Sequence, residues 1–281
     1  MNQFCQEEIM RVENLTKIYG PGCPDCIKKT GPAFGGNQCP VCGSIVACAE
    51  ISFTVNRGEI LGIVGESGSG KSTIIRCLYF DYDASSGSVR FLNFDPALNA
   101  LQLSLQKKRY IRNYIMGMVY QHPHLGLRLD FTAGGNIAEK ILSAGAYHVG
   151  RIREKAAALL EQTEVPVARM DHLPRHFSGG MQQRVQIAKA IANQPEIVLL
   201  DEVTSGLDVS VQAKVLDLIK GLQREMNMSM IVVSHDLGVI RLLTDRTAVV
   251  KDGRIVEIGL TDQILEDPQH EYTQLLVSSL L

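Results

Sequence analysis

"GESGSGKS", Gly65 to Ser72, decides the fold. It fits G-x-x-x-x-G-K-[ST] and stands between "EILGIVG", a short apolar run of strand character, and "KSTIIRCLYF", which reads as a helix. The motif carries its meaning only in that strand–loop–helix order. Gly65, Gly68 and Gly70 let the backbone curl until successive N–H groups face phosphate oxygens, and the helix start adds the positive end of its dipole. Lys71 supplies a mobile charge for β- and γ-phosphates, and the Ser72 hydroxyl is a ligand for Mg²⁺.

Outward from the loop, strand and helix patterns repeat. "RVENLTKIY" alternates apolar and polar, "ISFTV" and "GSVRFLNF" read as strands, and residues 100 to 175 turn helical in "GGNIAEKILSAG" and "GRIREKAAALLEQTEV" after a strand-like "IMGMVYQ". From 178 onward helix and strand alternate through "MQQRVQIAKAIANQ", "EIVLLDE", "VSVQAKVLDLIKGLQREM" and "MSMIVVSHD"; "TAVVKDGRIVEIG" reads as a hairpin about Asp252-Gly253. That alternation predicts an α/β fold with a largely parallel, helix-covered sheet. The 281 residues allow one large domain or a core with a subdomain. A net charge of −2 argues against a nucleic-acid surface, so no direct nucleic-acid partner is expected. No uncharged apolar run approaches the roughly 18 residues that span a bilayer. "MNQFCQEEIMRVENL" carries neither a basic leader nor an apolar core, so a cytoplasmic protein is expected.

Two further stretches suit phosphate chemistry. "IVLLDE" is an apolar strand delivering Asp201 to a metal hydration shell and Glu202, facing the other way, to an attacking water as general base. "FSGGMQQR" opens a helix with Ser178 as cap, followed by Gly179 and Gly180, a second anion-receptive helix start. Two such starts in one chain make sense if a second copy completes the site.

The ordered set "GESGSGKS", Gln121, "SGGMQQR", "LLDE", "SGLD" and His235 resembles the ATP-binding-cassette ATPases over essentially the whole chain apart from a Cys-rich insert. The resemblance implies a P-loop nucleotide-binding domain with a RecA-like core, an antiparallel β subdomain and a helical subdomain. Within one cassette over 1–281, the expected parts are an insert at 21–48, a helical subdomain at 100–177, a core part with signature and switch at 178–260, and a helical tail at 261–281. It implies a head-to-tail dimer, homomeric or with a related cassette, around two Mg·ATP. Tyr19 matches the aromatic that stacks on adenine. Gly65, Glu66, Ser67, Gly68, Ser69, Gly70, Lys71, Ser72 and Thr73 match the phosphate loop. Gln121 matches the residue that senses Mg²⁺ and water, sharing the ion with Ser72 and Asp201. Ser178, Gly179, Gly180 and Gln182 match the signature shown to the other subunit's ATP, Asp208 the inter-subunit loop, Glu202 the base and His235 the γ-phosphate switch. Val203 stands where the family usually has Pro, which would loosen the link from Glu202 to Asp208.

Between the motifs, "YQHPHLGLRLDFTAGGNIAEKIL", "GLDVSVQAKVLDL", "HDLGVIRLLTDR" and "VEIGLTDQILEDPQHEYTQLLVSSLL" look like the ATP-binding accessory subunit of carbon–phosphorus lyase. The resemblance implies ATP-driven work on a soluble lyase complex in phosphonate catabolism. The His-Pro after Gln121, "AGGNI" and the stop after "LLVSS" weigh most in that reading. Peptide and nickel importers share "SGGMxQR", "GLDVSVQA" and "YTQ", so the ATPase of a membrane permease is the alternative; a nucleotide switch with little turnover is a third.

Seven cysteines, an odd number, look like thiols or metal ligands rather than a disulfide framework. Cys23, Cys26, Cys39 and Cys42 fit C-x₂-C-x₁₂-C-x₂-C, with the Pro and Gly that tight knuckles favour. Four thiolates suit structural Zn²⁺; an iron–sulfur cluster is the alternative, and Cys48 or Cys5 are substitutes for the fourth ligand. Cys77 reads as a buried small residue, His122, His124 and His148 as surface or partner-contact groups, and Met226, Met228 and Met230 as core.

Overall fold

The structure is a computed structural model describing residues 7–278; Cys5 and the last three residues of the tail lie outside them. Along the chain, β1 (Glu8–Tyr19), β2 (Ile45–Asn56), β3 (Ile60–Val64), α1 (Lys71–Leu78) and β4 (Ser86–Phe91) come first. Then follow α2 (Leu105–Tyr110), β5 (Met116–Val119), α3 (Pro123–Gly126), α4 (Ala133–Ser143) and α5 (Val149–Gln162). After these come α6 (Gly179–Ile191), β6 (Ile197–Asp201), α7 (Val209–Met226), β7 (Ser229–Ser234) and α8 (Leu237–Leu243). β8 (Arg246–Lys251), β9 (Arg254–Leu260), α9 (Thr261–Glu266) and α10 (Glu271–Ser278) complete the order. They form two compact units, one of the chain up to Leu105 and from Ile231 on, the other of Gln106–Met230.

In the first unit, β2, β1 and β4 form an antiparallel sheet in that order. β3 runs parallel to β8, and β8 antiparallel to β9. β3, "ILGIV", is buried at every position, as a strand covered on both faces must be. The core around it joins Val64, Ile240, Val249, Ile264 and Tyr272, and wholly burying each aliphatic side chain is worth roughly 1.5–3 kcal/mol. The β8–β9 hairpin turns at Asp252 (φ 45°) and Gly253 (φ 75°), the two positive-φ residues that a tight twisted turn demands and that the Asp-Gly pair signals.

One strand differs from its expected start. β2 begins at Ile45 rather than Ile51, with Ile45 opposite Tyr19 and Val46 opposite Ile18. Val46 to Ala49 are buried without a break, so they lack the alternation by which a half-exposed strand is recognised. Cys48 therefore belongs to the sheet, and the Cys-rich stretch is the long loop of the β1–β2 hairpin.

In the second unit β5 runs parallel to β6. α7 spans the whole of "VSVQAKVLDLIKGLQREM" and stops where Asn227 turns left-handed at φ 48°. The Asn136 of "AGGNI" is wholly buried: its oxygen accepts from Arg128 N (2.8 Å) and its amide donates to the carbonyls of Arg128 and Thr132 (2.9 and 3.1 Å). It pins the loop before α4. Met228 and Met230 are core residues, as expected. Among the described residues no helix is long and apolar enough to cross a membrane.

Candidate functional site: a phosphate loop, a carboxylate pair and a four-thiol knot

The phosphate loop occupies the turn from β3 into α1. Gly65 and Gly70 are glycines by necessity. A Cβ on Gly65 would stand 2.1 Å from the Val250 carbonyl oxygen, and one on Gly70 2.0 Å from that of Ala47. Lys71 is 4% exposed and its ammonium donates to the carbonyls of Gly65 (2.8 Å) and Glu66 (2.7 Å), folding the charge into the loop's own curl. The Ser69 hydroxyl is buried without a hydrogen-bond partner among the described residues. A buried hydroxyl left over in a glycine-rich curl fits a phosphate oxygen. Glu66, Ser67 and Gly68 are exposed, and Ser72 and Thr73 half-buried in the first turn of α1.

The unit that holds the loop also holds Tyr19, His235 and a residue that motif reading missed. Tyr19 ends β1, 39% exposed, with Tyr82 edge-on (centroids 6.2 Å) and the Lys17 ammonium 4.9 Å from its ring. Partial burial pushes its phenol up, offset in part by the Thr73 hydroxyl. His235 is exposed just beyond β7, next to Asp236, which caps α8 by accepting from Gly238 N at 2.7 Å. The missed residue is Tyr272 on α10: its hydroxyl accepts from Glu66 N at 3.1 Å, and burial raises its pKa. Tyr272→Phe is expected to weaken nucleotide binding about fivefold, the worth of one hydrogen bond of ~1 kcal/mol. Equilibrium titration measures it; parent affinity would mean the hydroxyl does nothing for the loop.

In the second unit β6 ends at Asp201, which is wholly buried, and Glu202 follows half-buried at φ 45°. Gln121 donates to the Glu202 carboxylate at 2.8 Å, so the two residues assigned to the attacking water meet. Val203 is buried, and the turn is closed by Ser205 N donating to Glu202 O at 3.0 Å. Ser178 caps α6 by accepting from Met181 N at 3.4 Å; Ser178 and Gly179 are exposed and Gly180 buried. Gln182 donates to the carbonyls of Pro174 (2.9 Å) and Phe177 (3.2 Å), bracing the segment before the cap. Asp208 is exposed at the start of α7. The buried Gln186 of α6, also missed, grips Tyr120 by both backbone groups (2.8 and 3.0 Å) and so sets the position of Gln121. One Gln of three in this helix carries no sequence signal for this.

The four sulfurs of Cys23, Cys26, Cys39 and Cys42 lie within 4.8 Å of one another, with Cys23–Cys26 and Cys23–Cys39 at 3.6 Å and Cys26–Cys42 at 3.4 Å. Thiolates at about 2.3 Å from one tetrahedral ion are roughly 3.8 Å apart, so the cluster fits a single ion. Cys48 and Cys77 stand elsewhere, buried, their thiols pushed up to about 12 and about 11 by burial, as suits small apolar fillers. His122 and His124 are exposed and stack at 5.5 Å; the exposed His148 caps α5.

The ABC transporter family model matches residues 48–205. A curated relative from Escherichia coli K12, the putative phosphonates utilization ATP-binding protein PhnK, is 44% identical over 275 residues, 98% of each chain. The glutathione import ATP-binding protein GsiA of the same strain is 39% identical over 248 residues, 84% of this chain but 39% of its own length. Among solved structures, a dimeric ATP-binding cassette in a post-hydrolysis state with ADP and Pi aligns with a TM-score of 0.75 and 29% identity, over 90% of this chain and 99% of that one.

Proposed function

The chain belongs to the ABC transporter family, and from that premise we propose that it is the ATP-hydrolysing subunit of a phosphonate-utilisation system, working on a soluble carbon–phosphorus lyase complex in the cytoplasm. Cassettes of this family bind and hydrolyse ATP, and solved ones form dimers. The observation that carries the finer reading is the match to the phosphonate-utilisation relative along 98% of both chains. The import relative matches over only 39% of its own length.

In this reading Tyr19 stacks on adenine and the loop from Gly65 to Thr73 holds the phosphates. Ser72, Asp201 and Gln121 would hold Mg²⁺, which would neutralise charge on the transferred phosphoryl group. Glu202 takes the proton of the attacking water, with Gln121 orienting the carboxylate and His235 marking the γ-phosphate. A second cassette contributes Ser178, Gly179, Gly180, Gln182 and Asp208. The cysteine knot would hold zinc, since four thiolates close a tetrahedral shell and leave no position for substrate.

The test is isolation of the tagged Glu202→Gln variant from its own cells with Mg·ATP. A soluble enzyme complex recovered with a paired cassette supports the proposal. Recovery of a membrane permease instead assigns the chain to an importer.

A further inference from the structure

The cysteine knot is built onto the back of the phosphate loop, and its interior is made largely of sulfur. Of the eight side chains packed together there, four are the cysteines themselves; the others are Val46, Ala49, Ile18 and Ile27. Phe34 and Val41, the large apolar residues of the insert besides Ile27, are 61% and 58% exposed. Such a segment has no apolar core of its own, and binding of a structural metal supplies the ordering energy, roughly 10 kcal/mol or more.

Two short routes lead from the knot to the nucleotide loop. The first is β2. Cys39 N donates to Ser44 O (2.8 Å) and Val46 N to Asn37 O (2.8 Å), so the knot fixes the first residues of the strand. One residue later, the Ala47 carbonyl lies against Gly70 of the phosphate loop and also against Gly253 of the β8–β9 turn. Gly253 in turn donates to Ser69 O (2.9 Å) and accepts from Ala49 N (2.8 Å). The second route is Arg254. Its guanidinium donates to Ile27 O inside the insert (2.7 Å), packs on Gly31 and pairs with Glu50 of β2. Arg254 is the chain neighbour of Gly253.

We propose that the metal held by Cys23, Cys26, Cys39 and Cys42 braces the phosphate loop from behind through Ala47, Gly253 and Arg254, so that metal occupancy sets the affinity for nucleotide. This rests on the ATPase reading and gives the zinc site a regulatory role in it. When the knot opens, the start of β2 and the hairpin tip lose their fixed wall, and the loop spends less time in its binding-competent curl. Apparent affinity falls in proportion to that fraction: a loop competent about one-tenth of the time binds roughly tenfold more weakly.

The experiment uses the full chain with its metal counted by elemental analysis and a fluorescent ATP analogue titrated in the presence of Mg²⁺. The expected result is about one zinc per chain and at least about tenfold weaker binding after the zinc is stripped, restored when zinc is returned. Arg254→Ala keeps all four thiolates, so it is expected to retain zinc and still bind nucleotide about threefold more weakly. Equal affinity with and without metal overturns the brace and leaves the ATPase reading standing, as does a chain isolated without bound metal. If the stripped chain aggregates, Arg254→Ala decides, and parent affinity there overturns the proposal. A zinc-loaded chain that binds no nucleotide would overturn the ATPase reading itself.

Discussion

Replacing Glu202 by Gln is expected to leave Mg·ATP binding at the parent level and to lower phosphate release by ~10²–10⁴-fold, the range set by loss of a positioned general base. The variant keeps the shape of the side chain, and its carbonyl oxygen can still accept the 2.8 Å hydrogen bond from Gln121. The left-handed backbone at position 202 is the same for either residue. Binding and turnover therefore separate cleanly, nucleotide titration reading the first and phosphate release the second. Turnover at the parent rate would move the base to another residue. Loss of binding along with turnover would mean that the carboxylate holds the loop rather than the water.

Gly70→Ala is expected to reduce nucleotide affinity by at least about a hundredfold, the combined result of backbone strain of ~1–3 kcal/mol and a steric overlap. Position 70 sits at φ 103°, and the added methyl would lie 2.0 Å from the Ala47 carbonyl oxygen. That oxygen cannot step aside without shifting β2 against β1, where Val46 and Cys48 are in register with Ile18 and Lys17. Gly68→Ala is the built-in comparison: φ is 83°, but nothing lies within 4 Å of the new carbon. It carries the strain without the overlap and should lose distinctly less affinity than Gly70→Ala. Titration of both variants decides the matter; equal losses would mean that close packing behind Gly70 has no part in forming the cradle.

The parts of the molecule legible from sequence are those whose cause is local. The loop glycines, Lys71, the Asp252-Gly253 turn and α7 follow from adjacent residues, because φ restrictions and helical periodicity act over a few positions. The pairing of four cysteines was legible because thiolate spacing is itself a signature. The residues that were missed act over long separations. Tyr272 reaches Glu66 across 206 positions and Arg254 reaches Ile27 across 227, and neither belongs to a pattern in its own neighbourhood. Gln186 reaches Tyr120 across 66 positions from a helix that also carries Gln182 and Gln183, and its burial is decided by tertiary packing. The start of β2 was misplaced because an uninterrupted buried run carries no strand period.

The inward fold of Lys71 has a bearing on which anions this protein accepts. Its ammonium already donates to two loop carbonyls, so an arriving anion competes with both for the same charge. A single orthophosphate offers little in exchange for unlatching that cation. A triphosphate, anchored along its length by the loop amides, can draw it out. A lysine held by its own loop is therefore expected to favour ATP over inorganic phosphate, which competition between the two in a nucleotide titration measures.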